Sequence, residues 1–299
     1  MSSHTRAWLQ IHFCVVLWGF TAIFGKLISL AALPLVWWRM VLVTGALLLV
    51  QRFWSGLTQL SPRLIAIYAG IGVVVALHWL TFYASIKLSN ASVAATCMAL
   101  TPVFISFIEP LLAWRRFDVS ELIFGLAVIP GVVLVIGGTP SGMRLGIAVG
   151  ALSAFFVAIF ASLNKRHIAN TDVLTVTGVE MGAGAVVLTL AAPFLPAGET
   201  LFAIPSQRDA LLLVALAIGC TLLPFALSLV ALRQLSAFST ALAVNMEPVY
   251  AIVLAILLLG EQRELSLSFY AGVAIILAVV FAHPWLSTKK QLAVGVSGR

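Results

Sequence analysis

Residues 87–103 read KLSNASVAATCMALTPV, and 146 positions later residues 233–249 read RQLSAFSTALAVNMEPV. With that shift Lys87 falls on Arg233, Ala91 on Ala237, Ala95 on Ala241, Pro102 on Pro248 and Val103 on Val249, while His78 falls on Pro224. Only four of the 21 positions in 84–104 are identical, so identity alone makes a weak repeat. The shared layout carries more weight. Each copy has a basic helix end, a short Ser-containing turn, a small-residue helix and then a mid-helix proline.

Working outward, apolar runs between polar punctuation define ten spans, each near the roughly 20 residues a bilayer core requires. They lie near 8–28, 33–53, 64–86, 91–114, 119–138, 145–164, 173–195, 209–232, 237–259 and 265–285. The breaks are marked by Ser61-Pro62-Arg63, by Lys87 to Asn90, by Arg115-Arg116, by Gly137 to Gly142, by Asn164 to His167 and by Gly260 to Glu264. The shift lays spans three to five onto eight to ten. Five spans per half is an odd number, so the second half is inverted in the membrane. The expected fold is therefore an all-α polytopic membrane protein of two inverted five-helix repeats, 1–140 and 141–299, forming one integral membrane domain. Inverted repeats recur in secondary transporters, with the binding site near the midplane between halves.

Composition agrees. Of 299 residues 62% are apolar, against roughly 45–50% in soluble domains, and 9% are charged, against about 25%. A water-soluble enzyme, a DNA-binding domain and a disordered chain are excluded, and the loops leave no room for a soluble domain. The net charge of +7 reflects basic residues at span ends rather than a nucleic-acid patch. With the N-terminus inside, eleven basic residues fall on the cytoplasmic side and five on the other, with Arg39 left inside span two. That sorting predicts both termini in the cytoplasm. Cys14, Cys97 and Cys220 lie in apolar runs and read as small core residues. The first apolar stretch is too long for a typical signal-peptide core and reads as a retained span.

Four features together resemble the EamA-type members of the drug/metabolite transporter superfamily. They are Trp18-Gly19 in span one, Arg39 in span two, Thr101-Pro102 in span four, and Glu247-Pro248 in span nine followed by Leu259-Gly260-Glu261. The resemblance covers nearly the whole chain. It implies ten spans, inverted repeats and metabolite export across a bacterial inner membrane. The aromatic content is similar to that of the YddG-type amino-acid exporters, which implies aromatic and other small neutral amino acids as cargo. Drugs and nucleoside-type metabolites are the alternative cargo. By analogy with the family's cavity helices, Trp18, Tyr83, Phe156, Phe160, Asn164 and Asn245 belong to the lining.

The deep polar groups give further candidates, because ionisable side chains inside a membrane are costly. Glu247 sits mid-span beside Asn245 and Pro248, where a proline leaves a backbone carbonyl unpaired. His78 and Phe82 share one helical face, Trp79 and Tyr83 the next, with Trp79 read as packing. For Arg39 two readings stand: an ion pair with Glu180 of span seven that locks helices, or attraction of a substrate carboxylate. Pro102 and Pro248 are candidate gating hinges. Gly146-x-x-x-Gly150 and Gly178-x-x-x-Gly182 permit close helix approach, within the monomer or in a dimer. A monomer is expected.

No P-loop is present, so ATP is not the direct energy source. Proton coupling through His78 or Glu247 and downhill export both remain open. Neither a zinc-protease motif nor a Gly-x-Ser-x-Gly elbow occurs, and the five histidines are scattered. No catalytic residue, metal ligand set or cofactor is therefore expected. The partners are a small-molecule amino acid and the lipid bilayer, not nucleic acid.

Overall fold

The computed structural model describes residues 3–112, 117, 119–168, 171–195, 200–235, 240, 243–244, 246–279 and 282. Among the described residues six helices are long and apolar enough to cross a bilayer: Thr5–Leu27, Pro62–Leu88, Ala91–Leu112, Ser141–His167, Val173–Phe194 and Gln207–Leu232. A bent pair, Ala32–Leu48 with Gln51–Leu57, supplies a seventh. Shorter apolar helices at Gly125–Gly138, Glu247–Leu259 and Leu267–Val279 fall on the fifth, ninth and tenth expected spans. The protein is an all-helical, multi-pass membrane protein.

We number the helices α1 (Ser3–Leu27), α2 (Ala32–Leu48), α3 (Gln51–Leu57), α4 (Pro62–Leu88), α5 (Ala91–Met98), α6 (Thr101–Leu112), α7 (Val119–Ala127) and α8 (Ile129–Gly138). The second half holds α9 (Arg144–His167), α10 (Val173–Ala191), α11 (Gln207–Val214), α12 (Leu223–Leu232), α13 (Glu247–Leu259) and α14 (Leu267–Val279).

Helix starts follow the polar punctuation. Ser61 accepts from the Leu64 N–H, with Pro62 opening α4. Asn90 caps α5 through the Val93 N–H, and Asp172 caps α10 through the Thr175 N–H. Such side chains satisfy N–H groups that a helix start leaves unpaired. Gly260 ends α13 with φ of 70°, a left-handed conformation that glycine adopts without strain.

One span boundary departs from the expectation. Span two was expected to run straight through 33–53, but the chain turns by 89° between α2 and α3. Gln51 and Arg52 sit at that turn, and Arg52 reaches sideways to Asp172 at 2.7 Å. A cation is cheaper at the interface than in hydrocarbon, so the helix lies down where the charge begins. α3 then packs on α10, with Phe53 filling the space left by Gly178.

The halves meet through exchanged contacts, as an inverted two-fold repeat requires. Span three (α4) packs on span six (α9), and span eight (α12) packs on span one (α1). Span four (α6) packs on span six, and span nine (α13) on span one. Spans five and ten cross where a Cβ on Gly131 would lie 2.8 Å from the Gly272 carbonyl and one on Gly272 2.6 Å from the Gly131 carbonyl. Two polar ties obey the same exchange. Lys87 Nζ donates to the Ile28 carbonyl after span one at 2.6 Å, and Arg233, its repeat partner, donates to the Thr171 carbonyl after span six.

The proline break is shared as well. α6 begins at Thr101-Pro102 after a turn at Ala99-Leu100, and α13 begins at Glu247-Pro248 after a turn at Met246. Each proline is second in its helix, where its missing N–H leaves no hydrogen bond unmade. The glycine pairs face inward: Gly146 and Gly150 meet Ser89, Ser85 and Cys97, while Gly178 and Gly182 meet Phe53 and Thr44. All three cysteines are free and buried.

Candidate substrate cavity

A cavity of about 130 Å³ lies between the halves. An apolar cavity of roughly 150 Å³ accepts benzene, which sets the scale of what this one can hold. The first half contributes Trp18 and Thr21 from α1, Arg39 from α2 and His78, Trp79 and Phe82 from α4. α5 and α6 add Met98, Thr101 and Ile105. Opposite stand Val157, Phe160, Ala161 and Asn164 of α9, then Thr221, Phe225, Ser228, Leu229 and Leu232, then Thr240, Val244 and Glu247.

Helix rise gives the depth. Arg39 is seven residues into α2, about 10 Å from that end of the bundle at 1.5 Å per residue. Glu247 is twelve residues from the same end, about 18 Å. Asn164 is three residues from the opposite end of α9, about 5 Å. The cavity therefore starts near mid-membrane and extends toward the end of the bundle at which α9 and α12 finish.

Arg39 is 2% exposed and held on three sides. Its Nε donates to Thr221 Oγ1 at 2.6 Å and its Nη1 to the Tyr83 hydroxyl at 2.8 Å. The guanidinium lies 3.8 Å above the Trp79 ring centre. Thr221 reaches it because Ala215–Leu222 is wound as a π-helix, with the Thr221 hydroxyl also bonded to the Leu216 carbonyl five residues back. Pro224 follows immediately and cannot donate to its preceding turn, which favours such widening. Glu247 is the carboxylate in electrostatic reach of Arg39. It opens α13, where the positive end of the helix dipole lies. The wall thus carries one cation and one carboxyl among mostly apolar side chains, as ligand pockets do.

The expected helix-locking pair of Arg39 with Glu180 is not formed. Glu180 is 0% exposed and lies outside the wall, and neither of its oxygens has a hydrogen-bond partner. The Asn164 amide faces it without completing a bond of good geometry. Arg39 directs Nε to Thr221 and one Nη1 hydrogen to Tyr83, and Glu247 rather than Glu180 is the acid in its electrostatic reach.

His78 is on the wall and also bonded. Ser153 Oγ donates to the His78 carbonyl at 2.9 Å and lies 2.7 Å from His78 Nδ1. A hydroxyl that donates its one hydrogen must accept at the ring, so the network assigns the proton to Nδ1. The ring sits between Phe82 and Phe160, at centroid distances of 6.1 and 5.6 Å.

Of the expected lining, Trp18, His78, Phe160, Asn164 and Glu247 come together on the wall. Tyr83 is fully buried behind Arg39, its ring against Gly25, and supports the arginine from outside the cavity. Phe156 also lies off the wall. The α9 stripe is Val157, Phe160, Ala161 and Asn164, spaced i, i+3, i+4, i+7, and Phe156 falls one turn short of its centre beside Phe155. Asn245 lies outside the described residues. Trp79, expected to pack only, is both wall and platform for Arg39. Thr221 was missed, although a hydroxyl three residues before a mid-span proline is a readable signal. The stripe of Phe225, Ser228, Leu229 and Leu232 was legible as a period and was not used.

A multi-pass helical bundle around a central cavity fits a membrane carrier. The EamA-like transporter family model matches the chain twice, at residues 6–137 and 144–283. The protein belongs to the EamA-like transporter family, and it is a transporter rather than an enzyme. A solved structure described only as "Crystal structure of protein" is similar over 96% of this chain and 99% of its own, with a TM-score of 0.66 and 18% identity. That likeness shows the fold. No curated protein sequence matches the chain.

Proposed function

We propose that the protein exports small neutral amino acids, aromatic ones included, and related metabolites by alternating access. The observation that carries this reading is the placement of Arg39 and Glu247 on one cavity wall of benzene scale. A zwitterion presents a carboxylate and an ammonium group, which complement a guanidinium and a carboxylate. The aromatic groups Trp18, Trp79, Phe82 and Phe160 supply the surface for its side chain. A cationic drug would meet Arg39 as a like charge, and a multi-phosphate cargo would call for several deep cations.

In this reading residues 1–140 and 141–299 rock about the cavity, with the paired breaks before Pro102 and Pro248 absorbing the change. The chain lies in a bacterial inner membrane with both termini in the cytoplasm, so the cavity extends toward the cytoplasmic side. Counterflow in proteoliposomes with labelled phenylalanine, threonine and methionine tests the cargo. Exchange of at least one is expected. Exchange of a cationic drug with none of the three overturns the assignment.

A further inference from the structure

Two polar side chains that face each other, Asn164 and Glu180, complete no hydrogen bond of good geometry at any side-chain oxygen or nitrogen among the described residues. They are 1% and 0% exposed. Asn164 forms part of the cavity wall, and Glu180 stands behind it on α10. Both carboxyl oxygens are shut away, because α4 crosses so closely that a Cβ on Gly72 would lie 2.1 Å from the Glu180 carbonyl. An ionised carboxylate buried without a partner is costly by several kcal/mol, and the neutral acid costs less. Structural burial would be better served by an apolar side chain of like volume. A metal ion would call for several oxygen ligands, and Asn164 supplies one.

The surrounding charges leave the site to itself. Of the groups on helices packed against α10, Tyr68 on α4 is in electrostatic reach of Glu180, and Arg233 at the end of α12 is in reach of Tyr68. The Tyr68 hydroxyl is taken by the His167 carbonyl at 2.8 Å and Thr171 at 3.0 Å. Arg39 on α2 is engaged by Thr221 and Tyr83, His78 on α4 by Ser153, and Arg52 on α3 by Asp172.

We propose that Glu180 is a proton-binding site coupled to transport, reached from the cavity past the Asn164 side chain. A proton from the aqueous cavity adds to one carboxylate oxygen, and the neutral acid is what the closed packing around Gly72 admits. Release requires that α4 and α10 part or that Asn164 swing to admit water. The coupling role rests on the carrier reading above, while the proton site does not.

Full-length protein in proteoliposomes supplies two readouts. The first is the carboxylic C=O stretch in infrared spectra, titrated against pH, for wild type and Glu180→Gln. A band present in wild type, titrating with pH and lost in the variant, is expected; its absence from wild type overturns the site. The second is uptake of labelled phenylalanine, threonine and methionine with and without a pH gradient. Stimulation of about tenfold in wild type, the scale of an ordinary coupling free energy, is expected to vanish in Glu180→Gln while counterflow persists. Stimulation that survives the substitution overturns the coupling. Should Glu180→Gln fail to insert, Asn164→Leu keeps the acid and closes its access: full stimulation there also overturns the proposal. Wild type that exchanges none of the three amino acids overturns the cargo assignment instead, and the infrared band still decides the proton site.

Discussion

The Arg39 guanidinium carbon lies 3.8 Å above the centre of the Trp79 ring, and both side chains face the cavity. The arginine stays charged and planar there while Thr221 and Tyr83 hold its edge. Lysine cannot stack and fill both bonds at once. Arg39→Lys is therefore expected to cost roughly 2 kcal/mol of substrate binding, about thirtyfold in half-saturation for counterflow. Trp79→Phe keeps a ring under the charge and is expected to lose less. Equal half-saturation in Arg39→Lys and wild type would show that substrate binding does not depend on the guanidinium geometry.

Pro102 and Pro248 each stand second in a helix that restarts after a break. Alanine at both supplies a backbone donor and removes the ring that bars a preceding helical turn, so the helix can run back through the break. The Pro102→Ala, Pro248→Ala protein is expected to insert as wild type does and to transport several-fold more slowly. Flux per correctly inserted molecule is the measurement. Unchanged flux removes the hinge.

Glu261 is 1% exposed and caps the start of α5 from the far half of the chain. Its carboxylate accepts from the Ala91 N–H at 3.0 Å, the Ser92 N–H at 2.9 Å and the Ser92 hydroxyl at 2.7 Å. Glu261→Ala leaves three donors unpaired and is expected to destabilise the protein by on the order of 3 kcal/mol. Glu264 accepts one bond, from Asn90 Nδ2. Its alanine variant is expected to lose less. Thermal unfolding in detergent ranks the two, and a reversed order would contradict the cap.

Gly70 and Gly72 lie two residues apart on α4 with opposite surroundings. A Cβ at Gly72 meets the Glu180 backbone at 2.1 Å, while one at Gly70 meets nothing within 4 Å. Gly72→Ala is expected to disrupt the α4–α10 crossing and lower the yield of monodisperse protein. Gly70→Ala is expected to be neutral or slightly stabilising, by about 0.4–1 kcal/mol. Size-exclusion profiles of the two variants decide it; matching profiles would mean that the crossing tolerates the methyl.

Asp172 caps α10 and pairs with Arg52 at the membrane edge. Burial pushes its carboxyl upward, but the Thr175 N–H and then Arg52 outweigh that and hold it below the usual carboxylate range. A lowered folded value means that its contribution is full above the ordinary carboxylate value and is lost as pH falls through the folded value. Asp172→Asn keeps the cap and removes the charge. Wild type is expected to unfold at a higher temperature than the variant at neutral pH, by an amount worth about 0–1 kcal/mol for so exposed a pair. The two should converge in acid. A gap that persists at the lowest pH would place the cause elsewhere.

The apolar runs and the sorting of basic residues at span ends were enough to predict ten spans. The repeat also led to Pro102 and Pro248 as equivalent breaks. These features were legible because hydropathy, charge at span ends and proline act locally along a chain. The 89° turn after Leu48 was not legible, because Gln51 and Arg52 read equally well as the end of a straight span. His78 and Glu247 were named from residue type and Trp18, Phe160 and Asn164 from the family resemblance, and all five line the cavity. Tyr83 and Phe156 were not separable from them, because residue type does not say which way a helix is turned.

What the sequence determined by itself is the class of fold and a short list of deep polar groups. What only the tertiary structure decided is who partners whom. Arg39 was expected to pair with Glu180 or to attract a substrate carboxylate; it lies on Trp79 between Thr221 and Tyr83, with Glu247 in electrostatic reach. Glu180, a candidate for that pair, stands unpartnered behind Asn164. The reason is geometric. A helix fixes the spacing of its own side chains, but the facing of one helix to another depends on packing at glycines such as Gly72 and Gly131, which no local pattern encodes.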